Sequence, residues 1–250
     1  MLWLELKKIR KPVLAAMLGT TVLTCILTCT LYRNYRISFR LAPWEIGTEY
    51  LGLLFPLLVT APVCWQLYYE RRDRFIVYTL PRVSKLGYLA VKWFACALSA
   101  FLILFIPYFL SALCALYTAD PVLKPPYENY VHVFHSLYAQ APLIYALLLS
   151  LWKALLGVLV MTFGFVLALY GKNIFVILTA PFIYSVLENF GWAILGMPTY
   201  RLVTAFEPTS LSIDVITGAS FVVGPVLLCA VIGVAALYYT KVKHRTVYGM

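Results

Sequence analysis

Six long apolar stretches take up most of this chain and leave little room for any other kind of structure. They cover about residues 12–32, 48–69, 93–117, 142–170, 174–195 and 215–240. A helix needs about 20 apolar residues to cross the hydrocarbon core of a bilayer, and each stretch reaches that length. The whole chain is 63% apolar and 12% charged, whereas a soluble domain is usually about half apolar and about a quarter charged. The sequence therefore predicts an all-α polytopic membrane protein with six transmembrane helices.

The segments between these stretches are too short for a soluble domain of about 100 residues. We therefore expect residues 1–250 to form a single transmembrane domain. Residues 1–11 mix apolar and charged side chains in a pattern typical of a short amphipathic helix on the membrane surface. This basic stretch leads into a full-length span without a small-residue cleavage pattern, so we do not expect a cleavable signal peptide.

The basic residues predict an orientation with both termini in the cytoplasm. In that arrangement the inner segments hold 14 Lys and Arg residues and the outer segments hold five, while Lys153 lies inside a span. Cytoplasmic loops of membrane proteins carry such an excess of positive charge. Arg33, Arg36 and Arg40, in the first outer loop, go against this rule. The net charge of +10 is explained by these membrane flanks, so we expect membrane lipid and not nucleic acid as a partner.

The longest charge-rich segment joins the second and third spans, over residues 70–92. Its apolar middle, residues 75–80, is broken by Pro81 and followed by the basic residues Arg82, Lys85 and Lys92. One interpretation is an ordinary interfacial loop. The other is a docking surface for a cytoplasmic partner, in which the apolar residues anchor the segment and the polar residues point outward.

The sequence of this segment resembles that of the ABC-2-type transporter permeases. The shared features are a glutamate after the second span, a Thr-Leu-Pro turn with a basic residue, and a lysine that opens the third span: Glu70, Thr79-Leu80-Pro81, Arg82 and Lys92. The N-terminal ELKKI stretch, the six spans and the inner termini match as well. Residues 142–182 are similar to a small subgroup of these permeases. The chain departs from the family where Asp73 and Arg74 replace a frequent glycine.

The resemblance implies the membrane subunit of an ATP-driven exporter in the plasma membrane of a bacterium. Two permease copies, or this chain and a paralogue, would form the pathway, and each would dock on an ABC ATPase subunit. The residues implied in ATPase coupling are Glu70, Arg74, Tyr78, Thr79, Leu80, Pro81 and Arg82. The connection between spans five and six would fold back partway into the membrane. The apolar, aromatic-rich spans favour an amphipathic or lipophilic substrate such as a peptide, drug or lipid.

The chain has no G-x-x-x-x-G-K-[ST] phosphate loop, because Gly171-Lys172 lacks both the upstream glycine and the hydroxyl residue. We therefore expect this chain to bind no cofactor and to be no enzyme, with ATP and Mg²⁺ held by the partner subunit. Motifs of metalloproteases and serine hydrolases are absent from the sequence too.

Two charged residues, Lys153 and Glu188, interrupt the fourth and fifth spans. Charges within spans are costly and are usually paired or functional. Counted from the turn at Lys172, both lie at similar depth, so we predict a salt bridge between them. The alternative is that Lys153 reaches the outer interface while Glu188 faces a wet vestibule. These two residues also suggest a second function, in which the chain is an ion-coupled carrier that uses them as a charge relay. A third is a non-transporting sensor, immunity protein or scaffold.

His132 and His135 are three residues apart, which places them on one face of a predicted interfacial helix in the second outer loop. Glu128 lies one turn away, but we identify no further ligand and predict no metal site. The six cysteines all fall within apolar stretches and are interpreted as small apolar residues rather than a disulfide framework.

Overall fold

The computed structural model describes residues 2–73, 84–119, 121, 123, 132–211 and 215–242. Every regular element in these ranges is a helix. The α-helices are α1 (Leu2–Thr30), α2 (Ala42–Thr48), α3 (Phe55–Arg72), α4 (Lys85–Tyr117), α5 (His135–Gln140), α6 (Pro142–Tyr170), α7 (Ile174–Ile194), α8 (Leu202–Phe206) and α9 (Gly218–Leu237). Short 3₁₀ turns cover Leu31–Asn34, Glu49–Leu51, Pro198–Tyr200 and Pro208–Ser210, and a π-helical turn covers Tyr238–Val242.

Five of the described helices are long and apolar enough to cross a membrane: Leu2–Asn34, Gly87–Tyr117, Pro142–Tyr170, Ile174–Ile194 and Gly218–Lys241. A sixth crossing results if the bent pair Ala42–Leu51 and Phe55–Arg72 counts as one span. The chain is therefore an all-helical, multi-pass membrane protein with five or six spans.

The N-terminal segment does not form a separate helix. Residues 2–11 and the first apolar stretch are joined in α1, and Pro12 lies inside it. A proline within a membrane helix is tolerated where neighbouring structure stabilises it. Here α1 packs along α4 over much of its length, and Glu5 and Ile9, on the N-terminal side of Pro12, are already buried. This packing explains why the helix continues through the proline.

The second span is bent, and its first part begins where the sequence predicted an outer loop. Helix α2 meets α3 at 57° across a break at residues 52–54. Helix α2 begins at an Ala42-Pro43 step and is mostly buried. Gly47 permits this burial, because a Cβ there would lie 2.6 Å from the backbone of Thr28. The predicted loop thus includes a helix that packs into the bundle.

Helix α6 is central to the bundle and contacts α3, α4, α7 and α9. Its glycines allow neighbouring side chains to approach closely: Gly157 faces Leu104 and Val59, and Gly164 faces Thr60 and Cys64. Small residues at such positions let helices pack tightly where lipid supplies no hydrophobic driving force.

The start of α1 and the end of α9 lie at the same end of the bundle, since Glu5 contacts Lys92, Tyr68 donates to the Lys172 carbonyl at 3.1 Å, and Tyr170 stacks on Tyr239. This end is called the Lys92 end, and the opposite end is called the Glu207 end.

The packing of α1 on α4 can be tested with two native cysteines. The sulfurs of Cys25 and Cys114 are 3.5 Å apart, so a small side-chain rotation brings them to disulfide geometry. In a variant that retains only these two cysteines, mild oxidation will remove both free thiols, as counted by mass spectrometry. A matched variant that retains Cys25 and Cys229, the latter on the exposed surface of α9, will keep both thiols. Equal loss of thiols in the two variants would contradict the helix arrangement.

Candidate functional site

Most of the predicted coupling residues lie outside the described part of the chain. These are Arg74, Tyr78, Thr79, Leu80, Pro81 and Arg82. The residues that flank them are described: Glu70 lies near the end of α3, and Lys92 lies in the third turn of α4. Helix α4 begins at Lys85, so the last part of the predicted 70–92 segment belongs to this helix.

Two lysines and two glutamates form a charge network at the Lys92 end. Lys92 is 2% exposed. Its ammonium forms one ion pair with Glu70 and another with Glu5, where Nζ and Oε2 are 3.1 Å apart. Lys8 pairs with the same two carboxylates, at 2.6 Å from Glu5 and 3.1 Å from Glu70. The four formal charges cancel, which is the condition under which buried charges are tolerated.

Neutral side chains complete the coordination of Glu70. Gln66 Nε2 donates to Glu70 Oε1 at 2.8 Å, and the Tyr88 hydroxyl donates to Oε2 at 3.0 Å. Lys92 Nζ in turn donates to the Tyr88 hydroxyl at 3.3 Å. The Glu70 carboxylate is therefore coordinated by side chains of its own chain. Its contacts hold α1, α3 and α4 together, and α3 and α4 are the helices that precede and follow residues 74–83.

A second charge pair is enclosed at the Glu207 end. Lys153 is 1% exposed and Glu207 is 2% exposed, and the Lys153 ammonium is ion-paired with the Glu207 carboxylate. Three aromatic rings surround the ammonium, with Nζ at 5.1 Å from the ring centroid of Trp44, 4.4 Å from Tyr108 and 5.2 Å from Phe206. Ring faces attract cations most strongly where water is excluded. The surroundings of Lys153 therefore stabilise its positive charge without solvent.

The predicted salt bridge between Lys153 and Glu188 is wrong. Both oxygens of the Glu188 carboxylate instead accept the backbone N–H of Leu202, at 3.0 Å each. Leu202 is the first residue of α8, and a carboxylate at this position satisfies a free N–H group. The depth comparison failed because the connection between α7 and α9 brings Leu202 to Glu188 and Glu207 to Lys153.

Helix α8 is anchored in the bundle by several contacts. Trp152 Nε1 donates to the Ala205 carbonyl at 2.8 Å. Phe206 stacks on Phe55 of α3 with ring centroids 4.0 Å apart. Gly224 of α9 comes so close that a Cβ there would lie 2.8 Å from the Leu202 nitrogen. In the sequence α8 is a short, mostly apolar run. Its five residues are too few to be recognised as a helix between the turns that flank it.

A third polar cluster surrounds Glu45 of α2. His132 Nε2 lies 3.1 and 3.2 Å from the two Glu45 oxygens, and the Tyr138 hydroxyl donates to Oε2 at 3.0 Å. The His132 Nδ1 lies 2.8 Å from the Val133 carbonyl oxygen. No motif in the sequence singles out Glu45.

The two histidines do not share a helix face. His132 is buried and precedes α5, whereas His135 begins α5 and is exposed. The chain turns between them at Phe134, whose backbone adopts a left-handed conformation with φ of 54°. Within the described ranges, no group of three or more His, Cys, Asp or Glu residues is placed to hold a metal ion.

No protein-family model, curated protein or solved structure matches this chain.

Proposed function

We propose that this chain is the permease subunit of an ATP-driven ABC-2-type exporter of an amphipathic or lipophilic substrate. In this proposal both termini are cytoplasmic, the Lys92 end faces the cytoplasm, and a separate ATPase subunit supplies the energy. Two permease chains, identical or paralogous, form the pathway in a bacterial plasma membrane. The proposal rests first on the sequence resemblance around residues 70–92.

The structural observation that supports the proposal most is the charge network at the Lys92 end. This network ties together α3 and α4, the helices that precede and follow residues 74–83. A force applied by a partner to that segment would reach α3 and α4 together, because Glu70 and Lys92 are ion-paired. Helix α1 would move with them, because Lys8 and Glu5 share the same network. Glu70 thus acts in this proposal by holding helices, and the neighbouring residues make the contact with the ATPase.

Helix α3 offers a route for such a force to the Glu207 end. About 15 residues separate Glu70 from Phe55, which is roughly 22 Å along a helix axis. Phe55 stacks on Phe206, beside Glu207. A tilt of α3 would therefore displace α8, whose apolar side chains are buried in the bundle at that end. In this mechanism α8 is the outer gate, and the Lys153–Glu207 pair holds it closed.

A labelling experiment tests the orientation and the partner. In a variant without native cysteines, Tyr78→Cys will resist an impermeant maleimide in intact cells and react after permeabilisation. Tyr35→Cys, at a residue 52% exposed near the Glu207 end, is the matched control and will react in intact cells. Labelling of position 78 in intact cells would overturn the proposal.

Copurification distinguishes the proposed exporter from the other functions. An ABC ATPase subunit will copurify with the native chain from its own membranes and will be lost with Arg82→Glu. With Glu70→Gln it will be retained, because that side chain faces the bundle. Transport driven by a proton or sodium gradient without ATP would favour a carrier, and the absence of both ATPase and transport would favour a sensor or immunity protein.

A further inference from the structure

An apolar groove of about 420 Å³ opens at the Glu207 end between α5, α6 and α9. Its walls include Phe134, Leu137, Leu148, Leu149, Phe221 and Val222. The volume falls in the range of small-molecule binding sites, roughly 300–1,000 Å³. The groove faces outward from the bundle and is therefore open to lipid.

The groove offers a ligand almost no polar contact. Two lining residues carry polar atoms, and both atoms have protein partners. The Tyr145 hydroxyl lies 3.5 Å from Glu45, and Trp152 Nε1 donates to the Ala205 carbonyl. What remains is methyl groups and ring faces, which suit a hydrocarbon chain. An acyl chain in the groove makes more dispersion contacts than an acyl chain in the fluid bilayer. Selective binding of one lipid also requires that its polar headgroup bind nearby.

Positive charge lies on the other side of α5. Phe39 packs edge-on against His135 and Tyr138 of α5, with ring centroids 5.8 and 5.3 Å apart. Leu137, between them, lines the groove. Arg40 follows Phe39 directly and is exposed, as is Arg33 in the turn after α1. A helix with its side chains is about 10–12 Å across, so one lipid molecule can reach over α5 from the groove to this loop.

The loop carries a net positive charge. Between residues 31 and 54, three arginines stand against two glutamates, and Glu45 is buried with His132. Only Glu49 is an exposed acid in this range. These arginines were the exception to the positive-inside distribution, and an anionic ligand on this surface accounts for them.

We propose that the groove binds an acyl chain of an anionic phospholipid whose phosphate lies against Arg40 and Arg33. The site belongs to the membrane leaflet at the Glu207 end. Lipid binding there needs neither ATP nor a partner subunit, so it stands apart from the proposed transport function.

Photolabelling in nanodiscs tests the site. The probe is phosphatidylglycerol with a diazirine in its acyl chain, and phosphatidylcholine with the same chain is the reference. In the native chain, labelled peptides will contain residues of the groove, and phosphatidylglycerol will label them about tenfold more than phosphatidylcholine, since each basic residue near a membrane surface contributes to anionic lipid binding. Leu148→Trp with Val222→Trp will fill the groove and reduce its labelling to that of the general lipid-facing surface. The matched control is Leu187→Trp on α7, at a residue 65% exposed outside the groove, and this variant will label like the native chain.

The charge variant Arg33→Gln with Arg40→Gln leaves the groove intact and will abolish the preference for phosphatidylglycerol. It keeps the test decisive if the double tryptophan variant fails to fold. Equal labelling of native and groove-filled chains would overturn the proposal, and so would groove labelling without headgroup preference. A cross-link between two copies through Val222→Cys would assign the groove to a dimer interface instead.

Discussion

Lys153→Met will lower the free energy of unfolding by about 3–5 kcal/mol, because it leaves a buried carboxylate without its counter-charge. Glu207 is 2% exposed, and its ion-pair partner is Lys153. Glu207→Gln will cost a similar amount, since it strands the ammonium among Trp44, Tyr108 and Phe206. The measurement is a denaturant titration of the purified chain in one detergent.

The double variant, Lys153→Met with Glu207→Gln, will recover much of the loss, because no unpaired charge remains. A double-mutant cycle will therefore show strong coupling between these positions. The control is Glu188→Gln, which retains an oxygen that accepts the Leu202 N–H and will cost only about 1 kcal/mol. Its effect will add to that of Lys153→Met. Additive effects at Lys153 and Glu207, or coupling between Lys153 and Glu188, would contradict the observed pairing.

Lys92→Met will destabilise the Lys92 end by a similar amount, about 3–5 kcal/mol. It removes the buried ammonium that pairs with both Glu5 and Glu70 and leaves Lys8 as the remaining cation of the network. Removal of that charge will also loosen α1, α3 and α4 from one another. The expected signs are a lower midpoint of unfolding and faster proteolysis of residues 74–83 than in the native chain.

Lys8→Met is the matched control for this prediction. Its side chain is 38% exposed, and an exposed ion pair contributes only about 0–1 kcal/mol. Lys92→Met combined with Glu5→Gln will recover part of the loss, because Lys8 and Glu70 then remain as one balanced pair. Equal effects of the two lysine substitutions would show that the network is held by surface charges and not by the buried ammonium.

Under the proposed function, the same two sites have different consequences for transport. Lys92→Met will uncouple ATP hydrolysis from transport, since α3 and α4 no longer move together. Lys153→Met will weaken the closure of α8 against Phe55 and Tyr108. The two clusters are therefore expected to affect opposite ends of one pathway.

The sequence alone determined that the chain is helical and crosses the membrane several times. That prediction depends on the length of each apolar stretch relative to the bilayer thickness, which is a local property of about 20 consecutive residues. The same local rule singled out Lys153 and Glu188 as costly charges, and it marked Glu70 and Lys92 as the flanks of a polar segment.

Only the tertiary structure decided which charges meet. Glu207 pairs with Lys153, Glu188 binds the start of α8, and Glu45 binds His132. Each of these contacts depends on a short connecting segment that packs into the bundle, and α2 and α8 have only seven and five residues. Such segments are too short to produce a hydropathy signal, and their position is set by packing against helices that are distant in the sequence. Apolar length therefore predicts how the chain enters the membrane, whereas the partners of its buried charges depend on how the helices and their connections pack together.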